Sequence, residues 1–508
     1  MSLALSARAL LAGALAAAMA ALVNFEIERP LDNDEAVELV ESVLIPTNRI
    51  TFLLRDYPRP SGNYNESLSL FLNRATLIGI DQTRPTAPEQ DVRRIRWLRV
   101  ALFGATGALL FACAAALFGN AWAAVGVALM ATSAHLLLMN QFLIRNGLTP
   151  FWSLLALMVG AWGLAEDSDR ARARRWLIWL PLAVICGIWT YTSFRAYALA
   201  LYAAIAWMLW RERSPAWRHQ TLAVSAGIAL GTILLLTSLA GNVMIDRFFD
   251  RGSIVAVAGH DYLRNFGRTL LMVVQWQTPD GTFVSEGAHQ SMRVALLSPV
   301  LALFFALGCW RSWRAEDVRL AIIPRCLLLF LPLAAVGGPN IRHPLVVMPL
   351  VLLITLSGGV FVAQLISRSP ILWRRMAVAA ASLLAVASAG LELYRVFVLY
   401  PQSQTHTWAR EPQVFGFAAR NAQVDGRTPI WIFHPRGRDV IRWWTLPFEI
   451  EPASLIRFET WESLQFAALV SAQPPKLILV PREMVVVSSV ADTVIAPRRF
   501  DPWKDTPR

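Results

Sequence analysis

Four residues in the stretch LDNDEAV and its neighbours, Asp32, Asn33, Asp34 and Glu35, could do chemistry, as could three arginines far away in sequence, Arg145, Arg195 and Arg342. An ionised carboxylate takes a proton from an attacking hydroxyl. A guanidinium grips the oxygens of a phosphate or carboxylate through its planar fork. The same residue types also serve as loop polarity and as anchors at a membrane surface. Where the chain puts them separates the two readings.

The 508 residues are 56% hydrophobic and only 16% charged, include 20 Trp, and have a mean hydropathy of +0.45. So little polar surface does not cover so much apolar area in a soluble protein, and the chain reads as a polytopic membrane protein. The net charge of +12 comes from arginines in short clusters between apolar runs. A membrane explains that pattern better than nucleic acid does, so no nucleic-acid partner is expected. Lys476 and Lys504 are the only lysines. Cys113, Cys186, Cys309 and Cys326 all lie inside apolar runs. They lack the spacing of a metal site or a disulfide framework and read as packing residues.

A helix needs about 20 mostly apolar residues to cross the hydrocarbon core. That rule predicts about 11 transmembrane segments, centred on 5–23, 98–118, 121–139, 148–165, 175–191, 195–210, 220–241, 294–312, 318–336, 343–365 and 375–396. The first, LLAGALAAAMAALV after Arg8, also has the form of a signal-peptide core. The polytopic remainder and the lack of a small-residue cleavage site before Asn24 favour a retained helix. Basic residues in short loops stay cytoplasmic. They occur after alternate segments, at Arg170, Arg172, Arg174 and Arg175, at Arg211, Arg213 and Arg218, at Arg311 and Arg314, and at Arg368, Arg374 and Arg375. The amino terminus is then inside. Loops 24–97 and 242–293 and everything after about residue 397 are outside, and so are the acids.

Each short outward junction then holds one arginine, in NQFLIRNGLTP (Arg145), WTYTSFRAYAL (Arg195, with Tyr191) and GGPNIRHPLVV (Arg342). Any one of them reads as a snorkelling anchor. Three on the acid-bearing side point to a shared anionic ligand. In loop 242–293, the run HDYLRNFGRTLLMVVQW has helical apolar spacing with Arg264 and Arg268, and predicts an amphipathic interfacial helix that braces the fold or contacts lipid. Asp280 and Glu286 read as loop polarity. Residues 1–399 form the membrane domain. Residues 400–508, with strand-like PIWIFHP, KLILVPR and MVVVSSV between helix-like EPQVFGFAARNA and WESLQFAALVSA, predict a small extracytoplasmic α/β domain.

The acids soon after the first helix (DNDEA), LIRNGLTPFW, GIWTYTSFRAYAL and NIRHPLVVMPLVLLITLSGG together resemble the membrane-embedded C-type glycosyltransferases. The nearest groups are the dolichyl-phosphate-mannose protein mannosyltransferase-like and lipid A aminoarabinose transferase-like enzymes, and the likeness covers roughly residues 5 to 400. The resemblance implies an inverting transfer of a hexose or pentose from a polyprenyl-phosphate carrier to an extracytoplasmic hydroxyl on a glycan, lipid or protein. The setting it implies is the bacterial cytoplasmic (inner) membrane. It makes Asp34 the catalytic base, with Asp32 as second choice and Glu35 as a positioning group. Arg145, Arg195, Arg342, Tyr191, Arg264 and Arg268 become the substrate- and phosphate-binding candidates. With guanidinium groups to meet the phosphate charge no metal or other cofactor is required, although Asp32 and Asp34 spaced as D-x-D leave a divalent metal as an alternative. Many relatives carry another acid at the third-to-fourth helix junction, where this chain has Asn140, Gln141 and Asn146.

Two rivals use related features: a polymerase or ligase of lipid-linked glycans, and a transporter or flippase of lipid-linked sugars. Transporters carry ionisable groups at mid-membrane and paired halves. Here Arg319, Arg325 and His135 are the clear candidates inside spans, and no paired halves are visible. The arginine alternation makes a direct prediction. A topology reporter fused after about residue 405 is active only outside the cytoplasm, and one fused near residue 172 only inside. The reverse pattern would dismantle the outward reaction surface.

Overall fold

The computed structural model describes residues 3–26, 42, 57–58, 64–65, 67–76, 88–141, 145–165, 170–191, 193–212, 262–264, 266–267, 269–270, 297–336, 344–399, 430–433, 455–458, 477–479 and 493–495. Twelve helices are named here in chain order. They are α1 (Leu3–Glu26), α2 (Ser67–Thr76), α3 (Pro88–Phe118), α4 (Asn120–Thr132), α5 (Ala134–Gln141), α6 (Thr149–Leu164), α7 (Arg170–Ile188), α8 (Ser193–Glu212), α9 (Pro299–Trp313), α10 (Val318–Val336), α11 (Met348–Ser367) and α12 (Ile371–Tyr394). Short 3-10 turns at Arg145–Leu148 and Pro344–Val347 lead into α6 and α11, and a π turn at Arg395–Leu399 closes α12.

Every segment expected to span coincides with helix except 220–241, which lies outside the described residues. Among the described residues, six helices are long and apolar enough to cross a membrane, or seven if α4 and α5, bent by 55° at Ser133, count as one span. The chain is an integral membrane protein. Three of the expected spans are shorter than a full crossing: Thr149–Leu164, Trp179–Ile188 and Val300–Trp313. For α9 the local cause is clear. Ser298 caps its start by accepting from Leu301 N, and Pro299, which needs no N–H partner, follows as its first residue.

Small residues let the helices approach closely, as expected where lipid offers no hydrophobic drive for association. On the α1–α3 seam, a Cβ added at Gly104 would stand 2.9 Å from Ala17 Cβ and 2.9 Å from Gly13 O. Ala16, Ala20 and Val23 are fully buried, so α1 is built into the bundle. The α9–α11 seam is tighter: a Cβ at Gly358 would fall 1.8 Å from Phe304 O, and one at Gly308 would fall 1.8 Å from Ile354 O. Polar bonds reinforce it. Ser312 Oγ donates to Ser357 Oγ at 2.9 Å, and Arg311 Nη1 donates to Ser357 O at 2.8 Å. Helix α11 is the centre of the bundle, with 83% of its apolar window buried, against 11% for α12, whose Ile371, Leu372, Trp373, Leu383 and Val386 stay exposed.

Inside loop 24–97 the chain forms α2 and a two-residue hairpin pairing, β1 (Tyr57–Pro58) with β2 (Tyr64–Asn65). After residue 400, β3 (Ile430–Phe433), β4 (Leu455–Phe458), β5 (Leu477–Leu479) and β6 (Thr493–Ile495) make a parallel sheet in the order β4-β3-β5-β6. The sequence anticipated β3 and β5. MVVVSSV and both helix-like segments of that region lie outside the described residues, and β4 and β6 were not anticipated. The seam geometry yields a stability prediction. Gly358→Val forces side-chain atoms onto a backbone carbonyl and costs about 1–3 kcal/mol or more, seen as a lower melting temperature of the detergent-purified chain. Gly390→Ala, with nothing within 4 Å, leaves melting unchanged or raises it.

Candidate active site

The end of the bundle at which α1 finishes is held by three bonds. Gln141 Nε2, the last residue of α5, donates to Val23 O at 3.1 Å. Arg96 Nη1 on α3 donates to Asn24 O at 3.2 Å, and Asn24 Nδ2 donates back to Ala20 O at 2.8 Å. The departure point of the acid-bearing segment is thus fixed against α3 and α5. Its far side is fixed too, because Ser42, fully buried, accepts from Asn73 Nδ2 of α2 at 3.2 Å. Asp34 lies eight residues from Glu26 and eight from Ser42, within roughly 28 Å of either anchor for a chain that extends about 3.5 Å per residue. Asp32, Asn33, Asp34 and Glu35 themselves lie outside the described residues.

Helix α2 sits over the same end. Leu68 N donates to Trp189 O at 3.2 Å, which docks α2 on the α7–α8 junction, and α2 also packs against α3 and the turn Arg145–Leu148. That turn meets the turn Pro344–Val347, which in turn packs on α8. The three junctions that carry Arg145, Arg195 and the sequence just after Arg342 therefore converge, separated though they are along the chain. Arg195 lies in the first turn of α8, half-buried, and is engaged rather than free. Tyr191 is half-buried in the tight turn before it, where its N–H donates to Gly187 O at 3.3 Å and its carbonyl accepts from Phe194 N at 3.0 Å. Gly187 is required there, since a Cβ would stand 2.1 Å from the Phe194 ring. Arg145 opens its turn. Arg342 and Arg268 lie outside the described residues.

Arg264 is exposed on the helix that carries it. Residues 262–264, 266–267 and 269–270 are helical, as the apolar spacing predicted, and Tyr262 Oη donates to Pro332 O at 3.1 Å on α10. Tyr262 and Phe266 face the bundle, whereas Leu263, Arg264 and Leu270 are exposed. Arg264 therefore sits on the outward face, and nothing among the described residues joins it to the converging turns.

A narrow crevice of ≈ 20 Å³, room for about one water-sized group, runs from the two 3-10 turns into the bundle. Phe103, Leu110, Met130, Leu154 and Leu352 wall it, Gly147 and Leu345 bring the turns to its edge, and Asn140 contributes an amide. Its walls are mostly apolar. Among the described residues no cluster of His, Cys, Asp and Glu has the arrangement of a metal site. The cysteines are free thiols in helices.

Sequence reasoning missed Arg96, Arg99, Glu392 and Arg395. Arg99 is fully buried in α3. Glu392 Oε2 accepts from Ala134 N at 3.0 Å, at the break between α4 and α5, and Oε1 pairs with Arg395 Nη1 at 2.6 Å. A lone acid three residues before an arginine at the end of an apolar run was the available signal. Of the three intramembrane groups that could have suggested transport, Arg319 and Arg325 are otherwise occupied, whereas His135 is buried with Nε2 unpartnered among the described residues. Arg319 pairs with Asp317 at 2.9 Å and lies over Trp162, and Arg325 lies over Trp313 and Trp207, 4.6 Å and 5.8 Å from the ring centres.

Solved structures share this overall fold. ArnT from Cupriavidus metallidurans in the apo state superposes with a TM-score of 0.53 at 13% identity, covering 92% of this chain and 91% of that one. The undecaprenyl-phosphate-bound form of the same protein gives 0.52 over the same shares. The archaeal oligosaccharyltransferase AglB from Archaeoglobus fulgidus, in complex with an inhibitory peptide and a dolichol-phosphate, gives 0.51 at 14% identity over 88% of this chain and 64% of that one. The fold is shared with ArnT and AglB. No family model matches the sequence. Among curated proteins, the vitamin B12 import system permease protein BtuC from Yersinia enterocolitica is 30% identical over 163 residues, 30% of this chain and 48% of that protein. The chain thus spans about half the length of that relative.

The tether at the end of α1 is directly testable. In a C-type fold it sets where the first long loop leaves the membrane. Gln141→Ala removes one bond worth about 1 kcal/mol. Hydrogen exchange at residues 23–26 then rises about fivefold, with little change in overall melting. Unchanged exchange would show that Arg96 alone holds this end.

Proposed function

We propose that the chain is a polyprenyl-phosphate-sugar-dependent glycosyltransferase that moves a hexose or pentose to an extracytoplasmic acceptor hydroxyl on a glycan, lipid or protein. Its setting is the bacterial inner membrane. The observation that carries this reading is the convergence of the arginine-bearing junctions with α2 beside an apolar crevice, on a fold shared with ArnT and AglB. The apolar residues at the crevice mouth support contact with an isoprenoid chain, and the arginines suit its phosphate.

In the step we infer, the acceptor oxygen attacks the anomeric carbon as the bond from that carbon to the phosphate oxygen breaks. Asp34 takes the hydroxyl proton, the carrier leaves as polyprenyl phosphate, and a single displacement inverts the anomeric centre. Arg145, Arg195 and Arg342 are the candidates to meet the charge that grows on the departing phosphate, since preorganised cations cost no reorganisation during reaction. Tyr191 lines the same junction. Asp32 is the second candidate base and Glu35 a positioning group.

The BtuC match favours a second reading, import by a permease. Alanine- and leucine-rich helices constrain composition strongly, and a third of a chain can align on that ground alone. The overall fold and the occupied Arg319 and Arg325 weigh for the transferase.

Asp34→Asn separates the readings, because it keeps size and hydrogen bonding while removing basicity. With purified protein and a panel of polyprenyl-phosphate sugars, transfer falls roughly 100-fold or more, the scale of general acid-base catalysis, while binding of the bare carrier survives. Wild-type transfer by both Asp34→Asn and Asp32→Asn would return these acids to loop polarity.

A further inference from the structure

The end of the bundle opposite the junction turns carries a basic patch that the proposed reaction does not use. Arg311 and Arg314 end α9, Arg319 is the second residue of α10, Arg368 follows α11, and Arg374 and Arg375 lie in the first turns of α12. Against these six arginines the same stretches hold two acids, Glu316 and Asp317. Arg319 takes Asp317, with 2.9 Å between Nη2 and Oδ2. Among the described residues no carboxylate is within ion-pair reach of the other five. Arg311 is held by Ser357 O, and Arg314 lies over the Trp310 ring, 4.8 Å from its centre. Arg314, Arg368, Arg374 and Arg375 are exposed.

The packing sets these groups at one level. Helices α9 and α11 run in the same direction and cross at Gly308 and Gly358, where each glycine meets the carbonyl four residues before the other. Their carboxyl ends therefore emerge together. Helix α12 returns the other way, and its Ser388 bonds Ser298 at the start of α9 at 2.8 Å. At 1.5 Å per residue, Arg314 lies about 24 Å along α9 from that bond and Arg374 about 21 Å along α12. Arg368 sits between them in the turn from α11 to α12, where its N–H donates to Leu365 O. Trp310 and Trp373, 48% and 65% exposed, belong to the same ends of α9 and α12. Exposed tryptophans beside arginines mark the headgroup level of a bilayer.

Arg311, Arg314 and Arg368 close helices, where the backbone dipole favours a cation. Arg374 and Arg375 stand at the opposite pole. The start of α12 has no acid and no side-chain cap, so their charge adds to a helix end that is already positive. An anion offsets that repulsion. A soluble anion would leave Ile371, Leu372 and Trp373 beside it bare, whereas a lipid supplies charge and apolar cover together. We propose that the ends of α9, α11 and α12 form a site for an anionic phospholipid of the leaflet at this end. Its phosphate lies among Arg314, Arg368, Arg374 and Arg375, and its acyl chains run along the exposed Leu383 and Val386 side of α12. A zwitterionic headgroup brings its own cation and is selected against. The site is independent of the transferase reading.

The test uses the full-length chain in detergent micelles and needs no sugar donor. Binding of phosphatidylglycerol and of phosphatidylcholine is compared by native mass spectrometry. The wild type prefers phosphatidylglycerol, and Arg314→Gln, Arg368→Gln and Arg374→Gln each lower that preference about fivefold, the weight of one arginine near a lipid surface. Arg374→Lys keeps most of it. Arg8→Gln, at an exposed position on α1, leaves it unchanged. All of these side chains are exposed, so melting in phosphatidylcholine stays at the wild-type value. A loss in Arg8→Gln as large as in Arg374→Gln would mean diffuse attraction and overturn the site. Inorganic phosphate that displaces the lipid would make it a free-anion site, and a wild type without preference would remove it.

Discussion

A broken helix in hydrocarbon must have its freed backbone groups satisfied by protein, because no water is there to do it. In this bundle the break falls at Ser133, where the chain turns by 55° between α4 and α5. Glu392 answers it by accepting from Ala134 N, and Arg395 on the π turn neutralises the carboxylate that does so. Taking away one partner of such a buried pair costs about 3–5 kcal/mol, since the other charge is left stranded. Ser388, one turn before Glu392, bonds Ser298 at the start of α9 at 2.8 Å, so the same stretch of α12 also pins a second helix start.

What this bend achieves lies at the other end of α5. The short helix delivers Asn140 to the crevice and Gln141 to the end of α1, then runs on to the turn that opens at Arg145. A straight helix through Ser133 would carry these groups elsewhere. The fixed exit of α1, the position of the first long loop and the placement of the Arg145 turn all depend on one carboxylate more than 250 residues away. The small-residue seams do complementary work. They bring α1 against α3 and α9 against α11 closely enough that the central helix α11 is enclosed and the junction turns can meet above it.

Much of this was legible in the sequence for a simple reason: apolar length and arginine spacing are local properties. The helices, the first segment and the helical turns around Tyr262 among them, follow from both. The likeness to C-type glycosyltransferases rested on short degenerate motifs, and the shared fold with ArnT bears it out. Arg264 shows where periodicity stops, since helical spacing identifies an amphipathic face without saying what its exposed side meets. Glu392 was passed over because its partners, Ala134 and Ser298 by way of Ser388, are far away in sequence.

The sequence by itself determined that this is a membrane bundle. Hydrocarbon imposes a length and an apolar composition on each segment, and both can be read one segment at a time. It also singled out the acids and the junction arginines, because charged residues near a span are costly enough to need a reason. Only the tertiary structure decided that the junction turns converge, that α2 docks on them, and that Glu392 meets the break at Ser133. Those contacts join residues far apart along the chain, so no local property of the sequence marks them.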